Sequence, residues 1–158
     1  MIEELANYFD IIQTRFDSIA DTLSEIGDDV DQLNWMPVGN EQPSIFRLVA
    51  FIALNADYWI GHLIGGRGEP AGFDSALDEA SGTNPDVLRQ LLSSALETVR
   101  EVFEDIKPNK MNRMIEYADE IFTPRQCIIQ VIDQAAARYG EIEVIRRWYS
   151  FANPDYLS

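Results

Sequence analysis

The chain has 158 residues, 46% of them hydrophobic and 25% charged, enough to close one core without help from disulfides or a structural metal. Twelve Lys and Arg stand against 27 Asp and Glu, a formal charge of −15, so most of this surface would repel a nucleic-acid backbone or an anionic bilayer. Cys127 is the only cysteine, which excludes an intramolecular disulfide, and no apolar stretch approaches membrane-spanning length.

Residues 2–26 place Leu5, Tyr8, Phe9, Ile12, Phe16, Ile19, Leu23 and Ile26 at three- and four-residue steps, predicting a long amphipathic helix that Gly27 ends. In the following Leu33-Asn34-Trp35-Met36-Pro37-Val38-Gly39-Asn40, Pro and Gly stop helix propagation while Leu33, Trp35 and Met36 still require burial. A connection packed against the bundle is expected there. A second helix starts at Ser44 and runs to about Gly65, apolar on nearly every face and therefore central. Arg67 to Thr83, rich in Gly, Pro and acid, reads as a long connection.

Asn84-Pro85 supplies an N-cap with Pro at N1 for a third helix, which carries Val87, Leu88, Leu91, Leu92, Ala95, Val99, Val102, Phe103 and Ile106 and stops before Pro108. Residues 109–122 fit either a short strand pair or an irregular cover. A fourth helix opens with the Thr123-Pro124-Arg125-Gln126 capping pattern and continues to about Phe151. Its predicted inward stripe is Ile128, Val131, Ile132, Ala135, Tyr139, Ile142, Ile145 and Trp148. Long connections between some of these helices imply at least one crossover.

The acidity is uneven. Residues 1–35 hold nine Asp or Glu and one Arg, a sum of −8, whereas residues 124–158 hold four of each and sum to zero. The negative charge concentrated in residues 1–31 could engage a basic partner protein, although most charged helix faces are simply solvated. The start Met-Ile-Glu-Glu lacks the basic residues and apolar run of a signal peptide, so a cytoplasmic location is expected. Cys127 reads as a small buried hydrophobe and His62, the sole histidine, as a helix-end residue facing terminal carbonyls or solvent. Trp35, Trp59 and Trp148 read as core or interface aromatics.

Gln134 and Arg138 share one helix face at the four-residue spacing with which paired histidines grip a metal, yet they are an amide and a guanidinium. Three features also follow in a particular order. They are Leu33-Asn34-Trp35-x-Pro37, the apolar helix from Ser44-Ile45 to Ala56-Asp57-Tyr58-Trp59-Ile60, and Gln134-x-x-x-Arg138-Tyr139-Gly140-Glu141-Ile142-x-x-x-Arg146. Over residues from about 5 to 150 this order resembles the DinB-like superfamily.

The resemblance implies an all-α, up-up-down-down four-helix bundle with long crossover connections, one domain over residues 1–158, and a homodimer. Such families include metal-dependent, thiol-cofactor-dependent transferases and isomerases. In them three histidines hold a divalent metal, one from the second helix and a pair four residues apart on the fourth. By position these fall on Phe51, Gln134 and Arg138, none of which is histidine. Phe has no lone pair, Arg is a permanent cation and a Gln carbonyl is a weak ligand, so neither the usual metal nor any other cofactor is expected.

Asn55 lies one turn past Phe51, and with Gln134, Arg138 and Glu141 it could face the former metal cavity. A hydrogen-bond network in which Arg138 pairs with Asp57, Asp133 or Glu141 is the structural expectation. The functional alternative is a pocket for a small anionic ligand, with Arg138 as the fork. Two functions are open: a non-catalytic binding or structural module, or a thiol-dependent transferase or hydrolase that uses Arg138 without the metal.

Overall fold

The computed structural model describes residues 1–37 and 42–157. The first amphipathic stripe forms α1, Glu3–Ile26, with Leu5, Ile12, Phe16, Ile19 and Leu23 buried. Gly27 ends it at φ 64°, a conformation in which a Cβ is unfavourable. Asp29 then caps a short helix α2, Val30–Asn34, by accepting from the Gln32 N–H at 3.0 Å, and Leu33 is buried beneath it. Trp35 packs edge-on against Tyr149 with ring centroids 5.5 Å apart. This is the packed connection that the sequence predicts; Val38, Gly39 and Asn40 lie outside the described residues.

Ser44 caps α3, Ile45–Ala56, by accepting from the Arg47 N–H at 3.2 Å, an interaction typically worth ~1 kcal/mol. The helix continues as a π-helical segment, Asp57–Ile64, with the Gly65 N–H donating to the Ile60 carbonyl at 2.9 Å. Its wider turns shift every face beyond Ala56 from the α-helical register that a periodicity argument assumes. Gly61 and Gly65 explain how the widened segment packs. A Cβ on Gly61 would stand 2.9 Å from Thr98 Cγ2, and one on Gly65 2.7 Å from both Val102 Cγ2 and the Gly61 carbonyl.

The connection from Arg67 to Thr83 includes a short helix α4, Ala76–Glu79, which lies against α3. Helix α5, Asp86–Asp105, begins one residue later than predicted, and Asn84 still acts chemically as its cap through a 3.0 Å bond from the Asp86 N–H. Residues 109–122 resolve into the strand-pair alternative. Strands β1, Ile115–Tyr117, and β2, Glu120–Phe122, pair antiparallel, and the turn residues Ala118 and Asp119 sit at φ 50° and 64°. Positive φ at both central residues is the geometry of a two-residue type I′ turn.

Helix α6, Pro124–Ala152, starts with the expected reciprocal capping box between Thr123 and Gln126. Its inward stripe holds through Ile128, Val131, Ala135, Ile142 and Ile145, but Trp148 is 45% exposed and Tyr149 takes the buried position. The reason is the heptad 128, 135, 142, 149, which reaches Tyr149 while a step from Ile145 to Trp148 drifts off the face.

The all-α bundle is as expected, but the helix directions are not those of an up-up-down-down arrangement. Glu4 pairs with Arg125 at 2.5 Å, the Thr22 hydroxyl donates to Glu143 at 3.2 Å, and Arg146 meets Glu25 at 2.9 Å. Contacts that advance along both helices make α1 and α6 parallel neighbours. Arg89, at the start of α5, donates to the Leu23 carbonyl at the end of α1, so those two run oppositely. Gly61 lies on Thr98 and Gly65 on Val102, which makes α3 parallel to α5. The order is therefore up-down-down-up, and a single stretch, residues 65–85, must run back along the bundle between α3 and α5.

Candidate functional site

Phe51 on α3 and Arg138 on α6 meet where these two antiparallel helices pack. The Arg138 guanidinium carbon lies 5.3 Å from the centre of the Phe51 ring, a cation–π arrangement. Nη1 of Arg138 also donates to both oxygens of Glu141, at 2.9 and 3.2 Å. Of the three partners expected for Arg138, Glu141 is the one engaged. Asp133 faces solvent, and the carboxyl of Asp57 is acted on instead by Thr98 of α5 and by Arg67 in the connection.

Around this pair the remaining candidates are unevenly satisfied. Gln134 Oε1 and Arg138 Nε are both buried and lack hydrogen-bond partners, one an acceptor and the other a donor, four residues apart on one helix face. Asn55 is 2% exposed, and among the described residues no hydrogen bond joins it to Gln134, Arg138 or Glu141. The structure therefore brings Arg138 into contact with both Phe51 and Glu141 and leaves Asn55 as a buried residue on α3.

Two contributors are absent from the sequence reading. Phe73, in the connection after α3, stacks on Phe51 at 6.1 Å and on Tyr58 at 4.4 Å. Trp59, Tyr117 and Phe122 extend the aromatic wall, with the Trp59 ring 4.9 Å from Tyr117 and 5.2 Å from Phe122. The only available signal for Phe73 was a lone aromatic in a Gly- and acid-rich segment. The second is Arg47, which lines a cleft of about 230 Å³ with Arg138, Glu141 and Asp78. Its two guanidinium groups are matched by two carboxylates, so the cleft has no net charge with which to draw an anion.

The donor chemistry at these positions does not suit a divalent cation. Phe51 offers no lone pair and Arg138 brings a fixed positive charge, which leaves the Gln134 carbonyl oxygen as the one donor of the three. Among the described residues no group of three or more His, Cys, Asp or Glu is arranged to hold a metal ion.

His62 and Cys127 sit apart from this site. Nδ1 of His62 lies 2.6 Å from the Arg67 carbonyl, so the ring donates to the backbone beyond the end of the π-helical segment. Cys127 is fully buried, and burial pushes its thiol up to about 11, far from the thiolate needed of a nucleophile. Burial likewise raises the Asp57 carboxyl above its ordinary range, against a hydrogen bond from Thr98 and the charge of Arg67. No described helix is long and apolar enough to cross a membrane.

A search of curated proteins found no match. Among solved structures, a conserved protein from Enterococcus faecalis superposes with a TM-score of 0.74 over 94% of this chain and 98% of its own. At 14% identity that likeness speaks for the fold alone. The family profile of the DinB superfamily matches residues 8–142, through α1, both ends of the Phe51–Arg138 contact and most of α6. The chain belongs to the DinB superfamily.

Proposed function

We propose that this DinB-superfamily chain is a non-catalytic binding or structural module in which the metal-ligand positions have passed to Phe51, Gln134 and Arg138. The observation that carries this reading is the guanidinium of Arg138 over the Phe51 ring, pinned by Glu141. A cation and a benzyl ring thus stand where a divalent ion would need lone pairs. Elemental analysis of untreated, tag-free protein tests it: stoichiometric Ni, Zn or Mn would overturn the reading.

The module works as a homodimer in this proposal, through the outer face of α6. Val144, Trp148 and Phe151 are 44%, 45% and 83% exposed there, and with Ala137 and Gly140 they follow a helical stripe. A shallow groove of about 390 Å³ runs beside them against Pro43. Two copies of a chain carrying −15 repel each other broadly, whereas residues 124–158 sum to zero, and the exposed side of α6 is the face a second copy can approach. Elution as a monomer in light scattering would remove the dimer from the proposal.

A second reading, a thiol-dependent transferase or hydrolase using Arg138, draws on the two unpartnered atoms Gln134 Oε1 and Arg138 Nε, which a bound molecule could satisfy together. Thermal shift with a panel of thiol cofactors, on wild type and Arg138→Ala, separates the two. Stabilisation that depends on Arg138 favours the enzyme; identical curves favour the module.

A further inference from the structure

Four of the twelve basic residues, including both lysines of the chain, converge at one end of the bundle. Arg67 follows the π-helical segment, Lys107 precedes and Lys110 ends the short 3-10 turn after α5, and Arg113 leads into the hairpin. They rim a pocket of about 340 Å³ whose floor includes Ile64, Val102 and Ile106. Asp105 is the one carboxylate in its lining, so the local charge is 4 − 1 = +3 on a chain of −15. Glu101, which pairs with Arg67 at the rim, lowers that to +2.

Two of these cations are already engaged. Arg67 holds Glu101, and Arg113 donates to the carbonyls of Leu63 and Ile64 at the end of the π-helical segment. Lys107 and Lys110 have no ion pair or side-chain hydrogen bond among the described residues. Lysine near a helix C-terminus is a common complement to the helix dipole, but the dipole requires neither a concavity nor an apolar floor. Screening over about 8 Å at physiological salt lets these cations outweigh the distant acidic surface. Pro124 lines this pocket, and fourteen residues of helix, about 21 Å, separate it from Arg138.

We propose that the pocket binds a small anion bearing a short apolar body, with Lys107 and Lys110 on the charged group and Ile64, Val102 and Ile106 against the body. Titration of the full chain with octanoate, inorganic phosphate and octyl glucoside tests this by calorimetry. The expected result is saturable one-to-one binding of octanoate, weaker binding of phosphate, and none of the uncharged glucoside. In Lys107→Gln/Lys110→Gln, octanoate binding should weaken by about tenfold or more, with melting unchanged because both lysines are exposed.

Asp105→Asn, which removes the opposing carboxylate, should tighten binding by about threefold. Arg138→Met should leave octanoate affinity unchanged, which keeps this result separable from the fate of the Arg138 reading. No saturable octanoate binding, or equal binding by wild type and the double Gln variant, would overturn the proposal. So would weaker binding by Asp105→Asn.

Discussion

Replacing Arg138 by Met should leave the protein as stable as before or make it more so, despite removing the most conspicuous polar contact of the site. The cation–π contact with Phe51 is made by a side chain that is 25% exposed and contributes about 0.5–1 kcal/mol. The pair with Glu141, three residues along and itself 43% exposed, adds about 0.3–0.5 kcal/mol. Against these stands the Arg138 Nε, buried without an acceptor, at a cost of about 1–3 kcal/mol. Met keeps an apolar stem of similar reach over the Phe51 ring and brings no buried donor. The losses sum to about 0.8–1.5 kcal/mol and the relief to about 1–3, so the net change lies between near zero and a gain of about 2 kcal/mol. Urea unfolding followed by circular dichroism at neutral pH measures it, with the m-value expected to stay constant. A loss above about 2 kcal/mol, or a fall in Tm of more than about 4–8 °C, would show that Arg138 is held in place as a structural keystone.

Four further outcomes follow from named contacts. The triple variant Phe51→His/Gln134→His/Arg138→His should bind Ni or Zn stoichiometrically in equilibrium dialysis; failure of a folded triple variant to do so would mean that these positions do not correspond to the ligand positions of the superfamily. Gly65→Ala should cost about 1–3 kcal/mol, because its Cβ would stand 2.7 Å from Val102 and from the Gly61 carbonyl; an unchanged melting temperature would argue against the tight seam between the π-helical segment and α5. Asp57→Asn should melt higher than wild type at pH 7. The folded Asp57 carboxyl sits above its ordinary value, so its ionisation as pH rises costs stability, and the advantage of Asn should vanish below about pH 4, where both states are protonated. Cys127 should resist a disulfide reagent in the native protein and react fully on unfolding, since burial raises the thiol to about 11; fast native labelling would contradict this.

Helix existence was legible wherever apolar periodicity and caps agreed. Ser44 and Thr123 both bond the predicted backbone N–H groups, and the heptad through Ile128, Ala135 and Ile142 faces the core. Three things escaped for separate reasons. Helix direction is a matter of long-range packing, which pairs such as Glu4 with Arg125 reveal and no local pattern announces. The π-helical segment depends on Gly61 and Gly65 meeting Thr98 and Val102, a tertiary circumstance. Trp148 was misplaced because steps of three and four look equally good until the full heptad is followed to Tyr149.

At the site, Phe51 beside Arg138 was legible from the resemblance alone, which implies one locus for both, and Glu141 because it lies three residues from Arg138 on the same helix. Phe73 was not, since its stacking on Phe51 and Tyr58 is settled by how the connection after α3 folds back. The sequence allows Asp57 as one partner for Arg138. The structure turns it toward Thr98, in the widened segment where α-helical face assignments no longer hold.

The side-by-side pairing of α1 with α6 also bears on biosynthesis. Thr22 meets Glu143 and Glu4 meets Arg125 across 121 residues of chain. As the ribosome releases the polypeptide from its N-terminus at about 5–20 residues per second, α1 has no α6 to lean on for roughly 5–25 s. During that interval the part of its apolar stripe destined for α6 stays wet. Nine acidic residues among the first 35 give this stretch a like-charge repulsion that opposes association between nascent copies before the last helix arrives.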